Sequence, residues 1–81
     1  MDKKEVLDKI VEILTPLTKN KDALARLGLE ASILKDLKIN SARLVDVVLD
    51  IEERFGIVVK DEEADKVRTV QDAVNLVLSK S

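Results

Sequence analysis

Leu44, Val48, Ile51 and Phe55 step by four, three and four residues, the spacing of one face of a helix. No other segment carries so strong a period. It predicts a helix over 41–55 with that stripe aimed at the core, and Gly56 as its C-cap. With such a helix in the middle of 81 residues, only a few further elements and one small core fit. The chain is 46% hydrophobic, so a core is within reach, but Phe55 is its only aromatic residue. Leu, Ile and Val must do the packing, and one Pro with two Gly leaves few breakers, which favours helices over a sandwich of sheets. A domain of this size buries only about 60–65% of its unfolded-chain surface, so modest stability is expected.

On the N-terminal side, Asp2 is a candidate N-cap. Val6, Ile10, Ile13, Leu14 and Leu17 follow at helical spacing, flanked by Leu7 and Val11. Pro16 removes an intrahelical donor and should end or bend this helix near Leu14. Residues 15–40 read as a long ordered connection. Asn20 and Ser32 each cap a single turn there, Gly28 marks a break, and Leu24, Leu27, Leu29, Ile33, Leu34 and Leu37 pack inward. Ile57-Val58-Val59 is β-branched but has no partner strand, so an extended connection is expected. Asp61 is positioned to cap a short helix through Glu62, Glu63, Ala64 and Asp65. Thr69-Val70-Gln71-Asp72 fits a capping box, leading into a last helix with Ala73, Val74, Val77 and Leu78 inward. The expected fold is all-α: a small bundle of three longer helices plus one short helix, with a long first loop, forming a single domain over residues 1–81.

The absences narrow the chemistry. Without Cys there is no disulfide, thiolate nucleophile or cysteine zinc site, and without His there is no imidazole base. An enzyme acting alone is not expected. The charged opening run and the lack of a long apolar stretch predict neither a secretory signal nor a membrane span, and a cytoplasmic location. Charge is segregated: residues 40–65 hold three bases and eight acids, while the flanking segments are slightly basic. That middle would repel phosphate backbones and argues against nucleic-acid binding, a helix-turn-helix reader included. It reads either as a solvated acidic face or as a surface for a basic protein. The densest acids, Asp61-Glu62-Glu63-Ala64-Asp65, lack the alternating ligands and the turn Gly of a calcium loop. A helix N-terminus or weak surface cation binding accounts for them better, and no metal site is expected.

The start of the central helix is the informative place. A Ser in a first helical turn is ordinarily a cap. Here Ser41 would stand at the end of a surface loop, open to a modifying enzyme. Beside it Ala42, Val45 and Leu49 form a second apolar stripe, flanked by Asp46, Asp50 and Glu53. An apolar strip edged by acids and starting at an exposed Ser reads as a docking surface for a basic partner.

Four stretches then fall in one order: Ser32-Ile33-Leu34-Lys35-Asp36-Leu37 through Asn40-Ser41, Ile51-Glu52-Glu53-Arg54-Phe55-Gly56, Asp61-Glu62-Glu63-Ala64, and Val67-Arg68-Thr69-Val70-Gln71-Asp72-Ala73. Together they resemble the acyl carrier protein family, from about Ser32 to Leu78. The resemblance implies 4′-phosphopantetheine joined to Ser41 by a phosphodiester, with an acyl group held as a thioester on the arm. The thiol would then belong to the prosthetic group, which removes the need for Cys or His. It implies docking through Asn40, Ala42, Arg43, Val45, Asp46, Leu49, Asp50 and Glu53. It also implies an acyl-sheltering interior at Ile33, Leu34, Val47, Ile51, Phe55, Val59, Val67 and Val74, residues that pack a core in any case. The implied partners are a phosphopantetheinyl transferase and acyl-loading and acyl-transferring enzymes with basic patches, in fatty-acid, lipid or polyketide-type synthesis. The carrier would act as a monomer, without nucleic acid or membrane.

Three positions depart from the family pattern. The common Asp-Ser-Leu reads Asn40-Ser41-Ala42, Arg43 stands at a usual acid, and Lys60 replaces a common Pro. The resemblance thus implies a specialised carrier with its own partners. The alternative is an unmodified helical adaptor of the same fold that acts through protein contacts alone.

Overall fold

A computed structural model describes residues 2–80. Helix α1 runs over Lys3–Leu14, α2 over Lys21–Leu27, α3 over Ser41–Phe55, α4 over Asp61–Ala64 and α5 over Val70–Lys80. A single 3-10 turn, Gly28–Glu30, follows α2. No strand occurs among the described residues; one isolated bridge joins Ser32 to Thr69. The fold is all-α.

Helix ends follow local chemistry. The Asp2 carboxylate accepts from Glu5 N–H at 2.9 Å, and α1 closes at Leu14 ahead of Pro16. Gly56 takes the left-handed conformation at φ 63° and ends α3. Thr69 and Asp72 form the reciprocal capping box: Thr69 Oγ1 accepts from Asp72 N–H, and Asp72 Oδ2 from Thr69 N–H, both at 3.1 Å. Residues 57–59 are extended and unpaired, as expected.

The connection between α1 and α3 is more structured than its sequence pattern suggests. Asn20 caps two helical turns, not one, its Oδ1 accepting from Ala23 N–H at 3.1 Å. Seven residues are too few to hold a helix in isolation. Ala23 and Leu24 hold it by burial in the core, and Asp22 pairs with Arg26 along its exposed face at 3.0 Å. Further on, Ala31, Ile33, Leu37 and Ile39 are fully buried, and each Ile or Leu side chain so placed contributes roughly 1.5–3 kcal/mol. The loop is stitched to the α5 entry by Ile33 N–H to Arg68 O at 2.9 Å and Val70 N–H to Ala31 O at 3.0 Å. Leu34 differs from expectation, pointing outward at 44% exposure.

α1 packs against α5 and α3, with Val6, Ile10, Ile13 and Leu14 meeting Val70, Ala73, Val74 and Val77. On α3 the buried set is Val47, Val48 and Ile51: Val48 and Ile51 belong to the expected stripe, and Val47 is buried beside them. Leu44 and Phe55 are half-buried, and Lys9 Nζ sits 5.7 Å from the Phe55 ring centroid. Val47 and Ile51 belong to the core cluster, while Leu44 and Val48 line a space beside the four-residue α4, which buries no side chain of its own.

Candidate functional site

Ser41 is the first residue of α3 and is exposed. The cap of this helix is its neighbour. Asn40 has φ −75° and ψ 165°, and its Oδ1 accepts from Arg43 N–H at 2.9 Å. Asn40 O takes the next donor, Leu44 N–H, at 3.0 Å. Asn40 does the capping, and the exposed Ser41 hydroxyl makes no hydrogen bond to another protein group among the described residues. An Asn caps as well as an Asp but brings no charge.

Beside Ser41 a pocket of about 260 Å³ opens between α3 and α4. Leu44, Val45, Val48 and Leu49 form one wall, Val59 and Ala64 the other, and Glu52, Asp61 and Asp65 stand at the polar edge. The volume lies just below the roughly 300–1,000 Å³ of small-molecule sites, and suits a slender apolar segment. Ala64 is the only apolar side chain that α4 brings to it, and a small one. The floor is held by Glu52, whose Oε2 accepts from Val59 N–H at 3.1 Å.

The eight residues expected at the docking surface are all exposed on one side of α3 or its cap: Asn40, Ala42, Arg43, Val45, Asp46, Leu49, Asp50 and Glu53. Val45 and Leu49 are 59% and 56% exposed. Arg43 Nη1 lies 3.3 Å from Asp46 Oδ2, so one base offsets the first acid and the unpaired acids of the face are Asp50 and Glu53.

The eight residues expected at the acyl-sheltering interior are dispersed. Val59 lines the pocket beside Ser41. Leu34 and Val67 line an adjoining groove of about 480 Å³, which shares Leu44 and Asp65 with that pocket. Ile33, Val47, Ile51 and Val74 are closely packed in the core, and Phe55 is half-buried at the far end of α3. Leu44, Val48 and Ala64, which sequence reasoning did not assign to any site, form half of the apolar lining of the pocket beside Ser41. The one available signal was Ala64, a small residue in an otherwise acidic helix.

α4 is fixed from behind. Glu63 Oε1 accepts from Lys60 N–H at 3.1 Å and meets Lys80 Nζ at 2.8 Å. Asp61 is therefore the first residue of α4 and not its cap; the cap position falls on Lys60, whose N–H Glu63 satisfies. The Lys80 hydrogen bond, with that from Lys60 N–H, holds the Glu63 carboxyl below its usual range. Among the described residues no three carboxylates stand close enough together to hold a metal ion, and no helix is long and apolar enough to cross a membrane.

Comparison with known proteins bears on the same stretch. The phosphopantetheine attachment site family matches residues 8–77. A protein named acyl carrier protein from Rubrobacter xylanophilus is 39% identical, covering 96% of this chain and 94% of its own length. Acyl carrier proteins from Petrotoga mobilis and Thermosynechococcus vestitus are 38% and 33% identical; each alignment covers 99% of this chain and, respectively, 92% and 96% of the relative.

Proposed function

The chain belongs to the acyl carrier protein family, a family of carriers and not catalysts whose prosthetic group is 4′-phosphopantetheine, and from that premise we propose that Ser41 bears the group. The observation that carries this reading is the free hydroxyl of Ser41: exposed, released from capping by Asn40, and standing at the mouth of an apolar pocket. When bound, the group supplies the thiol that holds an acyl chain as a thioester. The chain's own part is to present, shelter and dock. Ser41 fixes the arm at the rigid start of α3, where rotation about one helical residue is restricted. Leu44, Val48, Val59 and Ala64 exclude water from an apolar segment laid against them. The groove at Leu34 and Val67 extends that shelter past Leu44. Ile33, Val47, Ile51, Phe55 and Val74 back both spaces as packed core.

The docking face is read as Asn40, Ala42, Arg43, Val45, Asp46, Leu49, Asp50 and Glu53. Its partners are a phosphopantetheinyl transferase and acyl-loading and acyl-transferring enzymes of fatty-acid, lipid or polyketide-type synthesis. Residues 1–81 act as one carrier domain, monomeric and cytoplasmic. Exposed Val45 and Leu49 flanked by Asp50 and Glu53 support this reading, since apolar contact supplies affinity and the acids supply orientation.

Incubation with coenzyme A and a broad-specificity phosphopantetheinyl transferase, followed by intact mass measurement, tests it. One added phosphopantetheine is expected, with none on Ser41→Ala. Addition to another Ser overturns the assignment to Ser41, and no addition with several transferases leaves the unmodified adaptor as the correct reading.

A further inference from the structure

Ser41 stands between two grooves of opposite charge. The pocket on its α4 side is edged by Glu52, Asp61 and Asp65 and contains no cation. On the other side a groove of about 450 Å³ lies between the segment after α1 and the entry to α3. Its ionisable residues are Lys19, Lys38 and Arg43, and no acid lines it. Lys19 and Lys38 form no ion pair among the described residues, and only Arg43 is engaged, with Asp46.

Lys38 adds a second observation. Its φ is 57°, the left-handed region, and it is the only described non-glycine residue with a positive φ. A side chain there costs about 1 kcal/mol or more relative to an unstrained backbone, and glycine would relieve it. The chain keeps a cationic side chain at a position where it is conformationally unfavourable.

We infer that the docking surface around Ser41 is bipolar, and that it fits a protein partner carrying an acidic patch opposite Lys19, Lys38 and Arg43 together with a basic patch opposite Asp61 and Asp65. The occupant follows from charge complementarity. A uniformly basic surface gains on the α4 side and is repelled by the unpaired Lys19 and Lys38 on the other, whereas a surface with both signs gains on each and can dock in only one orientation. That orientation places the partner's centre over Ser41, so the inference deepens the carrier reading and rests on it for its purpose. The charge pattern itself is independent of whether Ser41 is modified.

The test uses the unmodified, isotope-labelled full chain and two alanine-based helical peptides. One has four glutamates in its N-terminal half and four lysines in its C-terminal half; the other has lysines throughout. With a nitroxide on the glutamate end, broadening is expected at the amides of Lys19, Lys38 and Arg43 and not at Asp61 or Asp65; moving it to the lysine end should exchange the two sets. At low salt the bipolar peptide should bind about threefold more tightly than the all-lysine peptide, or better, since each exposed pair contributes little alone. The triple variant Lys19→Glu, Lys38→Glu, Arg43→Glu should reverse that preference. All three side chains are exposed, and the nitroxide pattern on the native chain decides the matter even where the variant folds poorly. Equal broadening of both grooves, or tighter binding of the all-lysine peptide to the native chain, overturns the inference. So does inorganic phosphate alone reproducing the shifts at Lys19 and Lys38, which would assign that groove to a small anion. Failure here with phosphopantetheine still added at Ser41 removes the bipolar partner and leaves the carrier; the converse removes the carrier alone.

Discussion

Lys80 at the end of α5 reaches Glu63 of α4 across 2.8 Å, and the two side chains are only 24% and 31% exposed. The other ion pairs of the described chain are far more open to solvent. Since α4 buries no side chain, this contact and the Glu63 bond to Lys60 N–H carry much of its placement, and α4 is one wall of the pocket beside Ser41.

The Glu63 contact predicts a pH dependence. Its carboxyl is held below the usual range in the fold, chiefly by the Lys80 hydrogen bond, so the unfolded chain takes up a proton first as pH falls. The stabilisation is complete above the ordinary carboxylate range and is lost as pH drops through the lowered value. Urea midpoints between neutral pH and about pH 3 should fall further for the native chain than for Glu63→Gln, with the two curves meeting in acid. Parallel curves would show that Glu63 is as free in the fold as in the unfolded chain.

Asn40 is the sole side-chain cap of α3, so Asn40→Ala should cost about 0.5–2 kcal/mol. Asn40→Asp retains the acceptor and should be as stable as the native chain or slightly more so, because a carboxylate suits the N-terminal end of the helix dipole. Chemical denaturation of the three proteins checks both signs. Loss of the cap should also fray Ser41, read as faster amide exchange across residues 41–44.

Two left-handed positions should respond in opposite directions. At Gly56 an added Cβ meets nothing within 4 Å, so Gly56→Ala exposes the backbone cost alone, about 1 kcal/mol or more of destabilisation. Lys38→Gly removes a similar strain and loses part of the gain to unfolded-chain entropy, so a stabilisation of up to about 1 kcal/mol is expected. A destabilised Lys38→Gly would show that the Lys38 side chain holds the loop.

Thr18 is the one buried polar residue among those described. Its hydroxyl donates to Leu37 O at 2.8 Å and accepts from Asn20 N–H at 3.1 Å, joining the two ends of the first connection. Thr18→Val preserves shape. Leu37 O keeps Lys19 N–H at 3.2 Å, but Asn20 N–H loses its acceptor. A cost of about 1–2 kcal/mol is expected, with loss of amide protection in α2, whose cap is Asn20.

α1, α3 and the entry to α5 were legible in the sequence because their signals are local. Periodicity at three and four residues, Asp2, Gly56 and the Thr69–Asp72 box act through bonds that close within one turn. The exposed strip along α3 and the place of Ser41 at its start were legible for the same reason. Tertiary structure alone decided the rest. α2 is too short to declare itself and forms because Ala23 and Leu24 find a core. Which apolar side of α3 is buried depends on the packing around it: Val47 and Ile51 enter the core cluster, while Leu44 and Val48 line a pocket with Ala64 of α4. The cationic groove draws Lys19, Lys38 and Arg43 from either end of a folded connection. A cavity and a charge field arise from surfaces distant in the chain, and no run of neighbouring residues encodes how those surfaces meet.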